Sequence, residues 1–266
     1  MMHTLALTTH LQRDGGKLAF IALLLLAGCA STAEFTYSVP VQSEASSVYT
    51  DKPGWTTSKF AVAAANPLAT DAGYQILKAG GSAVDAAIAV QMVLTLVEPQ
   101  NSGIGGGAFL LHFNGQAVEA FDGRETAPAA ADENLLTGSD GKPVAFYDAV
   151  VGGRAVGTPG TVAMLTMAHK EYGKLPWARL FEPAIRLATD GFKVSPRLHT
   201  LLKSEPHLKK DPVAAAYFFR PDGSPHPVGF VLKNPALAQV LQEVLKRGAA
   251  ALQTGPIADA AVRKVR

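Results

Sequence analysis

Two neighbouring stretches near the start of the folded region have apolar residues at helical spacing. The first covers residues 68–79 and is followed by Gly80, which suits the left-handed cap at the end of a helix. Ser82 and Asp85 then have the spacing of a capping box, which predicts a second helix over 83–97. This second helix is apolar on most sides and too short to cross a bilayer, so we expect it in the middle of a layered protein.

Four shorter stretches have the apolar pattern of β-strands. Residues 60–65 form one strand-like run and residues 151–156 form another. Residues 109–113 and 116–121 flank an Asn-Gly pair at 114–115, which predicts a hairpin with a two-residue type I′ turn. Strands and helices mixed along the chain in this way predict a layered α/β fold.

The second half of the chain is predicted to be mainly helical. Pro183 should divide one of these helices, and Asn234 followed by proline should start another. The predicted helices cover residues 161–172, 176–190, 235–247 and 257–266. The last one keeps its apolar face to the end of the sequence, which favours a protein that continues past residue 266, although a stable protein can also end on a docked helix.

Composition and charge exclude several classes of protein. Apolar residues make up 48% of the chain and charged residues 17%, which is the balance of a globular protein and not of a disordered or collagen-like one. The 24 Lys and Arg residues nearly match the 22 Asp and Glu residues, and no basic run is present, so no nucleic-acid partner is expected. The seven histidines include no pair at helical spacing, so we expect no metal site and no cofactor.

The only cysteine, Cys29, follows the features of a secretory signal. Basic residues precede an apolar run over 18–27, which is too short to span the ~30 Å hydrocarbon core as a helix. The run ends in Leu-Ala-Gly-Cys, which resembles the bacterial lipobox, whose cysteine is lipidated before the signal is removed. An ordinary signal peptide that happens to contain a cysteine is the alternative.

This interpretation divides the chain into three parts. Residues 1–28 are predicted to be a lipoprotein signal peptide, residues 29–58 a tether rich in Ser, Thr and Pro, and residues 59–266 the folded domain. Ala30, in place of Asp after the cysteine, indicates outer-membrane sorting by the same resemblance. We therefore expect a lipid-anchored protein on the periplasmic side of a bacterial cell envelope.

A glycine-rich loop over 103–108 contains a literal G-x-G-x-x-A string. A dinucleotide-binding fingerprint needs a strand before the glycines and a helix after them, because the pyrophosphate rests on the N-terminus of that helix. Here a predicted helix precedes the loop and a predicted strand follows it. We therefore interpret the glycines as a tight loop that passes close beneath another segment of the chain.

Arg124 is the candidate binding residue, since it follows Gly123 at the end of a predicted strand. A guanidinium fork in such a position can hold a carboxylate, although position alone favours an arginine that is exposed or paired with Glu125. Nucleophile motifs are missing: no G-x-S-x-G string occurs, and the S-x-x-K string from Ser139 to Lys142 falls in a predicted glycine-containing turn and not at a helix start. The residues alone thus predict no complete catalytic set.

Five motifs in order resemble the N-terminal part of the large subunit of the γ-glutamyltranspeptidase family. They are N-P-L-A-T at 66–70, G-G-S-A-V-D-A-A at 80–87, S-G-I-G-G-G at 102–107, G-R-E-T-A-P at 123–128 and V-G-T-P-G at 156–160. The resemblance implies an N-terminal-nucleophile hydrolase fold, an αββα sandwich of two stacked sheets that self-cleaves into two subunits. The threonine freed by that cleavage attacks a γ-glutamyl amide, such as that of glutathione, with its own α-amine as the base. The acyl group then passes to water, an amino acid or a peptide.

The resemblance gives Arg124 the role of binding the substrate's α-carboxylate. It also implies that residues 59–266 are a C-terminally truncated large-subunit domain, because the family's T-T-H nucleophile motif lies beyond residue 266. A Thr-Thr-His string at 8–10 lies in the signal segment and is a coincidence. We therefore expect this chain alone to be inactive and its partner to be a small subunit of the same precursor. Two alternatives stay open: a glutaryl-cephalosporin acylase of the same fold, or a truncated product without enzymatic role.

Overall fold

Residues 56–266 are the part of the chain that the structure, a computed structural model, describes. The helices are α1 (Pro67–Lys78), α2 (Ala83–Val97), α3 (Phe146–Val150), α4 (Thr161–Tyr172), α5 (Glu182–Asp190), α6 (Pro196–Ser204), α7 (Pro212–Phe218), α8 (Pro235–Arg247), α9 (Ala250–Gln253) and α10 (Pro256–Val265). The strands are β1 (Ala108–Phe113), β2 (Val118–Gly123), β3 (Phe192–Lys193) and β4 (Val231–Leu232). Within these residues no helix is both long and apolar enough to cross a membrane. The predicted signal peptide, Cys29 and most of the predicted tether lie outside the described residues.

The two N-terminal helices form where their caps predict them. The Asn66 side chain accepts a hydrogen bond from the Leu68 amide at 3.0 Å and so starts α1. Gly80, with φ of 90°, follows its end. The capping box is complete, because the Ser82 hydroxyl accepts from the Asp85 amide at 3.1 Å and the Asp85 carboxylate accepts from the Ser82 amide at 2.8 Å.

Helix α2 is the centre of the core, as its apolar sequence predicts. It packs against α1, α4 and α5, and α5 packs in turn against α8. Ile88, Ala89 and Met92 on α2 are fully buried, as are Phe181 and Leu241 on the elements around it. Burying an Ile, Met, Leu or Phe side chain contributes about 1.5–3 kcal/mol, so the contacts of this helix supply much of the stability of the core.

Strands β1 and β2 form the expected antiparallel hairpin, from the pair Ala108 and Gly123 to the pair Phe113 and Val118. The predicted two-residue turn is wrong, because the loop has four residues, 114–117. The Asn114 side chain accepts hydrogen bonds from the amide N–H groups of residues 116 and 117. These two N–H groups are therefore not available to the strand ladder. Strands β3 and β4 form a second two-stranded antiparallel sheet.

Two other predicted strands are also wrong. Residues 153–155 form a 3₁₀ turn in place of a strand, because Gly152 has a φ of 113° and Gly153 packs against the backbone of Val265 in α10. Residues 60–65 have no strand partner within residues 56–266, and a strand requires such a partner for its hydrogen-bond ladder.

The predicted helices of the second half are confirmed. The divided one is a 3₁₀ turn, Trp177–Leu180, followed by α5, which has Pro183 in its first turn. Asn234 caps the start of α8 by accepting from the Leu237 amide at 2.9 Å. The last helix, α10, begins at Pro256.

Candidate active site

Three glycine-bearing segments that are distant in sequence meet around Arg124. The Gly106 carbonyl accepts hydrogen bonds from the Gly160 amide at 3.0 Å, and from the amide and hydroxyl of Thr161 at 3.2 and 3.0 Å. Thr126 and Thr158 exchange two backbone hydrogen bonds, at 3.4 and 2.8 Å. These contacts join the glycine loop, the segment after β2 and the turn before α4 into one unit.

The loop over 103–108 lies between α2 and β1, the order opposite to that of a dinucleotide-binding loop. A β-carbon at Gly107 would lie 2.5 Å from the Glu125 amide nitrogen and 2.8 Å from the Arg124 α-carbon. One at Gly160 would lie 2.8 Å from the Arg124 carbonyl oxygen. The prediction that the glycines let this loop pass close beneath another segment is confirmed at Gly107, whereas Gly105 has open space around its α-carbon.

Arg124 directly follows β2 with its side chain largely in solvent. Its side chain is 68% exposed, and its Nε lies 3.9 Å from Oε1 of Glu125. An exposed ion pair of that length contributes little, so it does not hold the guanidinium tightly. The Arg124 amide donates to the Asp122 carboxylate at 2.8 Å, which fixes the backbone while the side-chain fork faces outward.

A buried carboxylate lies at the start of the glycine loop. Glu98, which is 1% exposed, accepts a hydrogen bond from the Asn66 side chain at 3.1 Å and another from the Gln100 side chain. Nε of Arg197 lies 3.3 Å from the Glu98 carboxylate. A buried charge needs such partners, and these connect α1, the end of α2 and α6. Glu98 was not predicted as a functional or structural residue from sequence, although a charged residue directly after an apolar helix was the available signal.

Asp85 is a second buried carboxylate, and it does more than cap α2. Its Oδ2 accepts hydrogen bonds from the Lys174 and Leu175 amides at 2.9 and 3.0 Å, besides that from Ser82. Its Oδ1 lies 3.6 Å from Nε2 of His169 on α4, and that nitrogen is 2.9 Å from the Leu175 carbonyl oxygen. Asp85 thus fastens the segment after α4 to the start of α2, and its role is structural.

One other sequence candidate, the string rejected above as a nucleophile motif, lies within the described residues. The S-x-x-K string at 139–142 forms the predicted turn, with Gly141 at φ 75° and the Lys142 amide donating to Asp140 at 3.1 Å. Cys29 lies outside the described residues. Within residues 56–266, no group of three or more His, Cys, Asp or Glu side chains is arranged to hold a metal ion.

Comparison with known proteins gives a consistent result. The family model described as "Gamma-glutamyltranspeptidase" matches residues 69–266. Glutathione hydrolase 3 of Arabidopsis thaliana is 38% identical over 208 residues, which are 77% of this chain and 32% of that protein. The crystal structure of Helicobacter pylori gamma-glutamyltranspeptidase superposes with a TM-score of 0.75 at 31% identity, over 79% of this chain and 61% of that one. Cephalosporin acylase from Bacillus halodurans superposes with a TM-score of 0.64 at 32% identity, over 73% and 37%.

These matches confirm the N-terminal-nucleophile hydrolase fold, of which residues 56–266 form the helices and two short sheets described above. The chain spans about a third of the length of the curated relatives it matches. The relatives are glutathione hydrolases, so the family is one of enzymes. With the family model matching residues 69–266 and the motifs meeting around Arg124, this chain belongs to the γ-glutamyltranspeptidase family.

Proposed function

We propose that this chain is the large-subunit part of an enzyme that cleaves γ-glutamyl amides such as glutathione and passes the γ-glutamyl group to water or to an amine. In this proposal Arg124 binds the α-carboxylate of the substrate. The observation that carries it is the outward-facing guanidinium of Arg124 at the junction of three family motifs. A planar fork on a fixed backbone suits bidentate binding of a carboxylate.

The chemistry is assigned to a small subunit of the same precursor. By resemblance, self-cleavage frees a threonine whose hydroxyl attacks the γ-carbonyl carbon while its own α-amine accepts the proton. The amine product leaves, and water or an acceptor amine then attacks the resulting ester. The 266-residue chain supplies substrate orientation through Arg124 and neither nucleophile nor base.

We also propose that the enzyme is anchored in a bacterial envelope. The lipobox-like sequence before Cys29 and the polar segment after it support a lipid anchor and a tether on the periplasmic side, at the outer membrane. Cleavage of a γ-glutamyl amide does not require a covalent anchor, so the anchoring proposal is tested separately from the proposed activity.

A glutaryl acylase is the second candidate function. The similarity to the cephalosporin acylase of Bacillus halodurans favours it, and the same arginine would then hold a carboxylate that has no neighbouring amino group. A truncated product without activity is the remaining alternative, and it predicts no turnover from any form of the gene.

The test compares two chromogenic anilides, γ-glutamyl and glutaryl, on two proteins. One is this 266-residue chain, and the other is the precursor read through the sequence downstream of codon 266. We expect no turnover by the short chain, and self-cleavage with preferential γ-glutamyl hydrolysis by the precursor. Preference for the glutaryl anilide would support the acylase instead. Turnover by the short chain above the buffer blank would refute the assignment of the chemistry to the small subunit.

A further inference from the structure

The loop of the β1–β2 hairpin carries an Asn-Gly pair, Asn114 and Gly115, and both residues are exposed to solvent. Gly115 has a φ of 100°, and a β-carbon at its position would meet nothing within 4 Å. The backbone nitrogen that follows an asparagine can attack the side-chain carbonyl carbon, Cγ, and close a ring. A following glycine hinders this attack least, because it has no β-carbon. The pair therefore leaves the attack unobstructed.

Residues 56–266 hold all five asparagines of the chain, and among them only Asn114 is followed by a backbone N–H that donates no hydrogen bond. The amides that follow Asn101 and Asn134 donate to backbone carbonyl oxygens at 3.0 and 3.2 Å. The other two asparagines precede proline, which has no N–H. An N–H that is fixed to a carbonyl oxygen is not free to lose its proton and turn toward a side chain, so the Gly115 nitrogen alone meets this requirement.

The hydrogen bonds of the Asn114 side chain favour attack at its Cγ. Oδ1 accepts from the amides of residues 116 and 117 at 3.0 and 2.9 Å. Donors aimed at this oxygen stabilise the negative charge that develops on it when a nitrogen adds to the carbonyl carbon. Nδ2 donates to Oε1 of Glu119 at 3.3 Å. The side-chain amide is thus held at both ends, next to a backbone nitrogen that is free to react.

We infer that Asn114 is a site of spontaneous deamidation. The Gly115 nitrogen forms a bond to Cγ of Asn114 and gives up its proton, the bond from Cγ to Nδ2 breaks, and ammonia leaves with that proton. Water then opens the resulting succinimide ring. Opening at Cγ leaves aspartate, and opening at the main-chain carbonyl carbon leaves isoaspartate. The reaction consumes one water, releases one ammonia and needs neither a substrate nor an anchor, so it does not depend on the proposed function.

Deamidation puts a second carboxylate beside Glu119. The Nδ2 donor of Asn114 is replaced by a negatively charged oxygen, so a hydrogen bond becomes a contact between like charges. Glu119 also accepts a hydrogen bond from the Tyr172 hydroxyl on α4, and it therefore connects the hairpin to that helix. Isoaspartate adds a methylene to the main chain next to the bond from the Asn114 amide to the Ala117 carbonyl oxygen. We therefore expect the loop end of the hairpin to loosen.

The consequence for stability is tested with Asn114→Asp, which reproduces the aspartate product. We expect a Tm lower by about 1–4 °C, because the new carboxylate faces Glu119. Gln116→Glu is the matched control: it adds the same charge to the same loop, at a side chain that makes no hydrogen bond within residues 56–266. Its Tm should stay within about 1 °C of wild type. Equal losses in the two variants would overturn the contact with Glu119 as the cause.

The reaction itself is tested by incubating the folded 266-residue chain in heavy-oxygen water at mildly alkaline pH and digesting it with trypsin in ordinary water. The tryptic peptide 79–124 contains both Asn101 and Asn114, so one spectrum compares them. We expect heavy oxygen at position 114 at least about tenfold faster than at position 101, and more slowly at mildly acidic pH, because the attacking nitrogen must lose its proton. Asn114→Ser keeps an oxygen acceptor in the loop but has no side-chain amide, and it should take up none at that position.

Three outcomes of this labelling experiment would overturn the inference. Equal rates at Asn101 and Asn114 would show that the free Gly115 nitrogen gives no advantage. An Asn114 that stays intact in the folded chain but converts in the same chain unfolded by urea would show that the fold protects the loop. Heavy oxygen at position 114 of the Asn114→Ser protein would mean that the label does not come from the asparagine side chain.

Discussion

Gly107 lies directly beneath Glu125, so close that a β-carbon at position 107 would be 2.5 Å from the Glu125 amide nitrogen. This contact joins the glycine loop to the segment that carries Arg124, 17 residues further along the chain. Real β-carbons do not approach backbone nitrogen so closely, and backbone cannot rotate away as a side chain can. The glycine is therefore needed for packing at this position.

Gly107→Ala tests this contact. We expect it to lower the free energy of unfolding by about 1–3 kcal/mol, because the loop and the Arg124 segment must move apart. Gly105→Ala is the control, since its β-carbon would meet nothing within 4 Å. Thermal denaturation of the 266-residue chain measures both, at roughly 2–4 °C per kcal/mol. Equal Tm values for the two variants would mean that the glycine loop can move away from Glu125 without loss of stability.

Asp85→Asn tests the buried carboxylate between α2 and α4. Asp85 Oδ2 accepts hydrogen bonds from three backbone N–H groups. Asparagine has no negative charge, so it offers these groups either a neutral carbonyl oxygen, which is a weaker acceptor, or an N–H₂ group, which cannot accept. We expect a loss of about 2 kcal/mol and a Tm lower by roughly 4–8 °C. Asp259→Asn, at an exposed position of α10, should change the Tm little. A Tm within 1 °C or so of wild type for Asp85→Asn would contradict the structural role.

His226 provides a prediction about pH. Burial lowers the pKa of His226 below its usual 6.5, and the nearby Arg220 charge lowers it further. The neutral ring also stacks on Phe230 with centroids 3.9 Å apart. Because the folded state disfavours the charged imidazole, the contribution of His226 to stability is complete above pH 6.5 and is lost as the pH falls through 6.5 toward the lowered pKa.

An NMR titration of the histidine ring protons measures this directly. The His226 midpoint should lie below 6.5, and Arg220→Gln should raise it without bringing it above 6.5. A midpoint at or above 6.5 in the wild-type chain would show that the ring is better solvated than its packing indicates.

The helices could be predicted from sequence because their signals are local. Ser82 and Asp85 are three residues apart, and the cap they form needs no knowledge of the rest of the fold. The hairpin loop was mispredicted for an equally local reason, the Asn114 side chain that binds two amides ahead of it. The 151–156 strand was mispredicted because the prediction followed the apolar residues and ignored the two glycines among them. Gly152 has a positive φ and Gly153 packs against the backbone of Val265, and both features interrupt an extended strand.

The candidate site was only partly predictable. Arg124 is proposed as a binding residue through the motif that surrounds it. The close approach of the glycine loop to another segment was predicted, but the segment that it approaches, at Arg124 and Glu125, was not. The Glu98 and Arg197 pair could not be found, because its members are 99 positions apart and nothing in a single sequence connects them. The exposure of Phe109, Leu111 and Phe113 on β1 was likewise invisible in sequence, since an apolar strand pattern does not say whether another element covers it.

Lipidation of Cys29 is a prediction that lies outside the described residues. Expressed in a bacterium with its first 28 residues, the chain should lose them and begin at an acylated Cys29, and it should fractionate with membranes. Intact-mass analysis after detergent extraction measures the modification, and Cys29→Ser should release the protein from the membrane while Ser31→Ala does not. An unmodified Cys29, or a Cys29→Ser protein that stays equally membrane-bound, would contradict the lipobox interpretation.

The sharpest prediction concerns Arg124 in the processed enzyme. Arg124→Lys keeps the positive charge but loses the planar fork, and hydrogen bonds to charged groups contribute about 1.5–3 kcal/mol. We expect kcat/KM for a γ-glutamyl anilide to fall roughly ten- to a hundredfold, at ~1.4 kcal/mol per decade. Self-cleavage should be nearly unchanged, because the scissile bond of the precursor does not use the substrate carboxylate site.

Arg263→Lys is the matched control, an exposed arginine on α10 that should retain wild-type kcat/KM. The penalty of Arg124→Lys should shrink for an anilide that lacks the α-carboxylate, since the lost contact is then absent from the wild-type complex as well. This substrate dependence separates loss of carboxylate binding from general damage, which would lower both rates equally. If Arg124→Lys and Arg124→Ala both keep wild-type kcat/KM for the γ-glutamyl anilide, then Arg124 is an exposed arginine beside Glu125, and the α-carboxylate is held elsewhere.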